Sequence, residues 1–351
     1  MAERLRLGLV FGGRSVEHAV SVVSAQHVIA AAADRFAVVP VGVTRNGAWL
    51  SVAATAAALA RPDAPFEKQL DAAAGGGIVD GLADLAGTDV VFPLIHGRHG
   101  EDGSIQGLLE IAGLPYVGCG VAASAVGMDK ALMKAVFRAE GLPVGDYVAI
   151  AAPACDEDAL PAARSIEARF AYPVFVKPAN GGSSLGISKA RDRESLAVAL
   201  TEAGRHDRKL VVEAAVEGRE LECAVLGNAA PEASPVGEIR FQRDFYDYDA
   251  KYLDPDTEII TPADLPAEVV GRVQALALRA FGAIDGAGMS RVDFFLRPDG
   301  SLLVDEINTI PGFTPASMFP RLWQLNGLSY SELIARLVDL AMLRHKEMRI
   351  A

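Results

Sequence analysis

The chain has 351 residues, 51% hydrophobic and 22% charged, with a formal net charge of -12. That balance supports burial of a large core and excludes wholesale disorder; the acidic excess excludes a phosphate-tracking nucleic-acid surface but leaves room for a local basic pocket around small anions. At roughly 150 residues per domain the length predicts two or three packed units.

Cys119, Cys155 and Cys223 are odd in number and widely spaced, which predicts packed free thiols in a reducing compartment rather than a disulfide framework. The first 11 residues carry Glu3, Arg4 and Arg6 and reach Gly12 too soon for a signal-peptide core. No apolar run approaches the ~20 residues needed to span a bilayer. The expectation is a cytoplasmic protein with small-molecule partners, no nucleic acid and no membrane.

In chain order, residues 5–11 form an apolar, β-prone run that Gly12-Gly13 breaks before a helix-like stretch over 16–33. Runs 38–43 and 89–95 read as buried strands separated by Ala-rich helical stretches, the alternation of a parallel α/β sheet. A helix over 130–140 ends at Gly141-Leu142-Pro143, since glycine suits the C-terminal cap and proline cannot continue the ladder. Beyond a boundary near 125, short strands at 172–177, 186–189, 210–213, 221–226, 291–296 and 302–307 predict mixed sheets with helices. Ser329 and Glu332 have capping-box spacing ahead of Leu333, Ile334, Leu337, Val338 and Met342 on one helical face.

The residues that could carry chemistry fall in five places. In Asp305-Glu306-Ile307-Asn308 the alternation of strand side chains turns Glu306 and Asn308 the same way, and Asp293 from a nearby strand completes an oxygen-only set suited to Mg²⁺. Arg291 beside it reads either as a donor to a metal-held phosphate or as an ion-pair partner of Asp293. Lys177 ends an apolar strand and runs into Gly181-Gly182-Ser183-Ser184, whose N–H and hydroxyl groups could cradle phosphates; a plain hairpin is the other reading. Glu213, Glu217 and Glu220 could accept from an adenine amino group or ribose hydroxyls.

Residues 12–18 (GGRSVEH) lack the third glycine of a dinucleotide loop, and Glu17 sits where a phosphate would be repelled. A cationic ligand group suits it better; a carboxylate that only complements the helix dipole is the other reading. His96 follows the third strand at its carboxyl end, where open α/β sheets bind ligands, but with His99 it falls short of a zinc set.

Together these segments resemble the D-alanine:D-alanine ligase family of ATP-grasp enzymes over nearly the whole chain. The resemblance is carried by 12–21 (GGRSVEHAVS), 96–107 (HGRHGEDGSIQG), 128–130, 177–186, 244–252 (DFYDYDAKY), 288–293 (GMSRVD) and 305–317 (DEINTIPGFTPAS). It implies an ATP-grasp fold: an N-terminal open parallel α/β domain over 1–125, then two mixed-sheet α+β subdomains over 126–212 and 213–351 that clasp the nucleotide. It implies ligation of two D-alanines through an acyl phosphate, as a step in peptidoglycan precursor synthesis, by a homodimer.

By the same resemblance, Lys130, Lys177 and Lys251 would contact the ATP phosphates with Ser183 and Ser184. Glu213 and Val216 would meet the adenine, and Glu220 the ribose. Asp293, Glu306 and Asn308 would hold two Mg²⁺ ions, with Mn²⁺ as a substitute. Arg291 and the Gly312 N–H would stabilise the oxyanion. Glu17, bonded with Ser183 and Tyr252, would bind the first ammonium, and Ser317 the second substrate's carboxylate. His96 belongs near the substrates, either transferring a proton or orienting its neighbours. The aromatic, charged segment 240–254 would close as a lid that excludes water.

Rival expectations are a ligase taking D-lactate or D-serine second, and a non-catalytic nucleotide-binding relative. Tyr252 weighs against D-lactate. The presence of Lys130, Lys177, Arg291, Asp293, Glu306 and Asn308 together weighs against the relative.

Overall fold

Strand β1 (Arg6–Gly12) is buried beyond its first residue, as its Leu, Val and Phe side chains require, and it lies between two parallel neighbours, β2 (Ala37–Val43) and β3 (Val90–Pro93). Parallel neighbours need crossovers. Helix α1 (His18–Ala32) supplies the first, and α2 (Val52–Leu59), α3 (Phe66–Ala72) and α4 (Ile78–Leu85) the second. The computed structural model describes residues 4–60, 66–240 and 258–348.

Helices α5 (Ser104–Ile111), α6 (Val121–Met128) and α7 (Lys130–Ala139) follow. Asp129 caps α7 by accepting the Ala131 and Leu132 N–H groups, both at 3.1 Å. The boundary expected near 125 falls inside α6, whose Ala123 belongs to the core under the last sheet.

The second sheet runs β4-β7-β5-β6, formed by β4 (Tyr147–Ala151), β5 (Val174–Pro178), β6 (Ser188–Ala190) and β7 (Lys209–Ala214). Helices α8 (Asp156–Glu167) and α9 (Arg193–Gly204) cover it through Ile166, Leu196 and Leu200. The third runs β10-β9-β8-β11-β12, with β8 (Arg219–Gly227), β9 (Glu232–Arg240), β10 (Glu258–Ile260), β11 (Gly288–Leu296) and β12 (Leu302–Asn308). The expected break at 212/213 cuts β7; the change of sheet comes between Ala214 and Arg219. Among the strand pairs described, parallel pairing is confined to the first sheet, and the pairs of strands in the other two are antiparallel.

Helix α10 (Ala267–Ala283) backs the third sheet, and α11 (Met318–Leu325) and α12 (Tyr330–Met348) complete the described chain. The capping box of α12 forms: the Glu332 carboxylate accepts the Ser329 N–H at 3.0 Å, and Ser329 Oγ accepts the Glu332 N–H at 3.3 Å. Its face of Leu333, Ile334, Leu337 and Val338 is wholly buried against β3 and α1. The first sheet's Leu7, Leu9 and Phe92 thus share one core with the chain's last helix. Among the described residues no helix is long and apolar enough to cross a membrane.

Candidate active site

The site is built first on the register of β11 and β12, which sets Asp293 opposite Glu306 and Arg291 opposite Asn308. The register slips between Asp293 and Phe294, leaving Asp305 as an extra residue. Such a bulge breaks the two-residue alternation of a strand, so Asp305 and Glu306 both line one cleft. Arg291 pairs with Asp293 at two points, Nε to Oδ1 at 2.7 Å and Nη2 to Oδ2 at 2.6 Å, and its Nε lies 3.1 Å from Glu222 Oε2 on β8. Burial pulls the guanidinium pKa down, but Asp293 and Glu222 more than reverse it and hold it well above the usual value.

Asn308 Nδ2 donates to Asp293 Oδ2 at 3.1 Å, which turns the amide oxygen away as an acceptor. Asp293, Glu306 and Asn308 thus offer oxygen donors alone, a set that fits Mg²⁺ completed by phosphates and water rather than zinc. Among the described residues no three His, Cys, Asp or Glu side chains gather as a metal site by themselves.

Next to this set lies a lattice of lysines and carboxylates. Lys177 at the end of β5 reaches Glu213 Oε2 at 2.8 Å and Asp305 Oδ1 at 3.6 Å. Lys134, one helical turn beyond Lys130 on α7, reaches Glu213 Oε1 at 3.0 Å and Asp305 Oδ1 at 3.3 Å. Burial alone would lower the Lys177 pKa, yet Asp305 and Glu213 raise it; burial would raise Asp305, and Lys177 and Lys134 hold it far below its ordinary value. Lys130 Nζ donates to the Gly181 carbonyl at 2.7 Å and lies 3.7 Å from Glu306 Oε2. A cleft of about 560 Å³ opens on this lattice, lined by Phe175, Lys177, Ser184, Glu213, Val216 and Glu220 as well as Asp293 and Glu306.

A second cleft, of about 550 Å³, adjoins the first and shares Ser184, Glu222 and Glu306 with it. Glu17, His96, Lys130, Ser183, Arg291, Asn308, Gly312 and Ser317 line it. Glu17 precedes α1 without capping it; its Oε1 accepts the Ser183 hydroxyl at 2.5 Å. A Cβ on Gly97 would come within 2.6 Å of Glu17 Oε2, and one on Gly182 within 2.5 Å. Glycine at both positions therefore makes the slot in which this carboxylate sits.

His96 Nδ1 is 3.1 Å from the Ile310 carbonyl, and its Nε2 is buried without a hydrogen-bond partner among the described residues. Burial lowers the imidazole pKa against the pull of Glu17, so the ring is neutral, with Nδ1–H donating and Nε2 an acceptor. Ser317 Oγ accepts the Thr314 N–H at 3.1 Å, and a Cβ on Gly312 would lie 3.1 Å from it, which sets these two predicted residues side by side.

Every predicted site residue in the described chain thus lines one cleft or the other. Lys251, Tyr252 and residues 241–254 of the expected lid lie outside the described residues. Lys134, Glu222 and Glu101 belong to the site but were not singled out from the sequence. Lys134 carried a usable signal, since four-residue spacing puts it on the face of Lys130.

The chain matches known proteins over nearly its whole length. A family model described as "D-ala D-ala ligase N-terminus" matches residues 6–119, and one described as "D-ala D-ala ligase C-terminus" matches 136–339. A protein named D-alanine–D-alanine ligase from Pseudarthrobacter chlorophenolicus is 47% identical, covering 98% of this chain and 96% of the relative; one from Ruminiclostridium cellulolyticum is 45% identical, covering 98% and 97%. The structure of the D-alanine-D-alanine ligase from Coxiella burnetii superposes with a TM-score of 0.80 at 33% identity, covering 99% of this chain and 97% of that one. The VanG D-Ala:D-Ser ligase from Enterococcus faecalis gives the same score and identity over 97% and 100%. The three-sheet architecture is the ATP-grasp fold of these neighbours. By sequence over nearly its full length and by fold, the chain belongs to the D-alanine–D-alanine ligase family.

Proposed function

We propose that the protein joins two D-alanine molecules into D-alanyl-D-alanine with conversion of ATP to ADP and phosphate, supplying a peptidoglycan precursor. The observation that carries this reading is Glu306, which lines both clefts, so that a nucleotide in one would present its terminal phosphate to a carboxylate in the other.

In the first step an oxygen of one D-alanine carboxylate forms a bond to the γ-phosphorus while the bond to the β,γ-bridging oxygen breaks and ADP leaves. Lys130 and Lys177 hold the phosphates with Ser183 and Ser184, while Glu213 and Val216 border the adenine and Glu220 the ribose. The Ser183-bonded carboxylate of Glu17 holds the ammonium of this first substrate. Asp293, Glu306 and Asn308 would hold two Mg²⁺ ions, or Mn²⁺ in their place, which neutralise phosphate charge when bound.

In the second step the amine of the other D-alanine, its carboxylate against Ser317, attacks the acyl carbon. The bond to the phosphate oxygen breaks, phosphate leaves and the amine gives up a proton. Arg291 and the Gly312 N–H face the oxyanion that develops. His96 borders the attacking amine.

ADP release measured with and without D-alanine tests the reading; release independent of D-alanine would defeat it. Comparing kcat/KM for D-alanine, D-serine and D-lactate as second substrate tests the acceptor. D-alanine is favoured because the relatives at 47% and 45% identity carry that specificity in their names. A cytoplasmic homodimer of three-part subunits completes the proposal, and sedimentation equilibrium reads the stoichiometry.

A further inference from the structure

We propose that Glu101 is a positioning residue for the second, bond-forming step: from the His96 loop it holds the segment running from Ile310 to Gly312 so that the Gly312 N–H meets the oxyanion. This inference rests on the ligase reading above.

Glu101 does its work at the seam between the two ends of the chain. Its Oε2 accepts the Gly97 N–H at 2.6 Å and its Oε1 accepts the Ile310 N–H at 3.2 Å. His96, five residues earlier, lies 3.1 Å from the Ile310 carbonyl through Nδ1. Both backbone polar groups of Ile310 are therefore tied to one loop, although more than 200 residues separate the partners. Ile310 stands midway between Asn308 and Gly312. A shift there would move the oxyanion donor directly.

The loop is stiff enough to act as a brace. The Glu101 N–H donates to the Gly97 carbonyl at 2.9 Å, and Gln106 Nε2 donates to the Gly100 carbonyl at 2.7 Å. Gly97, at the near end, also forms one wall of the Glu17 slot. One carboxyl thereby couples the groups assigned to the first substrate's ammonium with those assigned to the acyl oxygen. It needs no substrate contact of its own. Displacing a reacting geometry by about 1 Å can slow a step roughly 100-fold.

Glu101→Gln keeps the shape but leaves one acceptor oxygen and points an NH₂ at one of the two N–H groups; Glu101→Ala removes both acceptors. For each, one measures dipeptide formed, phosphate released, KM for ATP and melting temperature. The expected result is a kcat for dipeptide lowered by roughly 10- to 100-fold, with KM for ATP unchanged and more phosphate than dipeptide released, since the acyl phosphate waits and is lost to water. A phosphate-to-dipeptide ratio equal to that of the unsubstituted protein in both variants would overturn the proposal. So would a Glu101→Gln protein that does not fold, because the residue would then serve folding alone. Absence of D-alanine-dependent phosphate release by the unsubstituted protein would instead defeat the ligase reading.

Discussion

Arg291 and Asp293, two residues apart on β11, face each other through two parallel hydrogen bonds of 2.7 and 2.6 Å. A cation drawn to Asp293 must therefore share the carboxylate with a guanidinium, and Glu222, 3.1 Å from Arg291 Nε, keeps the arginine in place when it does. Asp293→Asn should leave the fold intact, raise the Mg²⁺ concentration for half-maximal ADP release and cut kcat by more than the 10- to 100-fold typical of outer-shell partners. An unchanged Mg²⁺ titration would remove Asp293 from the metal set.

Lys134 is 2% exposed and stands between Glu213 and Asp305. Lys134→Met leaves the two acids with one lysine, Lys177, in place of two. Loss of one partner from a buried ionic group typically destabilises by about 3–5 kcal/mol, and the surviving lysine sets the expectation at the lower end. Urea unfolding measures it; a loss below about 1 kcal/mol, the range of exposed pairs, would show the lattice to be solvated.

Glu17→Gln removes a charge while keeping the bond to Ser183 possible. A charge-assisted hydrogen bond contributes roughly 1.5–3 kcal/mol, so KM for D-alanine at the first position should rise about 10- to 100-fold. KM for ATP should stay put. If the ATP constant moves instead, Glu17 serves the nucleotide side.

The strands that were legible in the sequence are those with dense apolar runs, such as β1, β2 and β3. Strand β9 was not, because Glu232, Pro235 and Gly237 interrupt its apolar pattern. The chain accommodates them at a register shift: Pro235 has no N–H to give, and the neighbouring Ser234 hydroxyl accepts the Ala224 N–H at 3.0 Å. Glu238 is buried there because Arg219 and Arg240 pair with it. Glu306 and Asn308 were legible because they share one short motif, and Asp293 because it ends a second, 288–293 (GMSRVD). Glu222 was not, since its place opposite Asp293 depends on pairing between distant strands, and Glu101 was not, since nothing in its spacing reports Ile310 as its partner.

Ser329→Ala should cost about 1 kcal/mol, the usual contribution of a helix N-cap. A shift in urea midpoint with no change in its slope would measure it. A midpoint equal to that of the unsubstituted chain would mean that burial of Leu333, Ile334, Leu337 and Val338 alone fixes the start of α12.

Glu101 also predicts a pH dependence of stability. Burial and the nearby charge of Glu17 push its carboxyl from 4.5 to about 8, against the Gly97 and Ile310 N–H groups and Arg291. The folded chain then keeps a proton that the unfolded chain has released, so this contribution is complete below 4.5 and is lost as pH rises through 8. His18 and His96, both lowered by burial, act in the opposite sense and only as pH falls through 6.5. Between pH 6.5 and 8 the expected decline is at most about 1.4 kcal/mol per pH unit. It should be absent in Glu101→Gln, and urea midpoints at pH 6.5 and 8 for both proteins would check it.

Because Leu333, Ile334, Leu337 and Val338 finish the core begun by Leu7, Leu9 and Phe92, the opening sheet cannot mature while it is still emerging from the ribosome. Its apolar face waits for nearly the entire message to be translated. Severing the chain within α6 should give two pieces that are sticky apart and fold only when mixed.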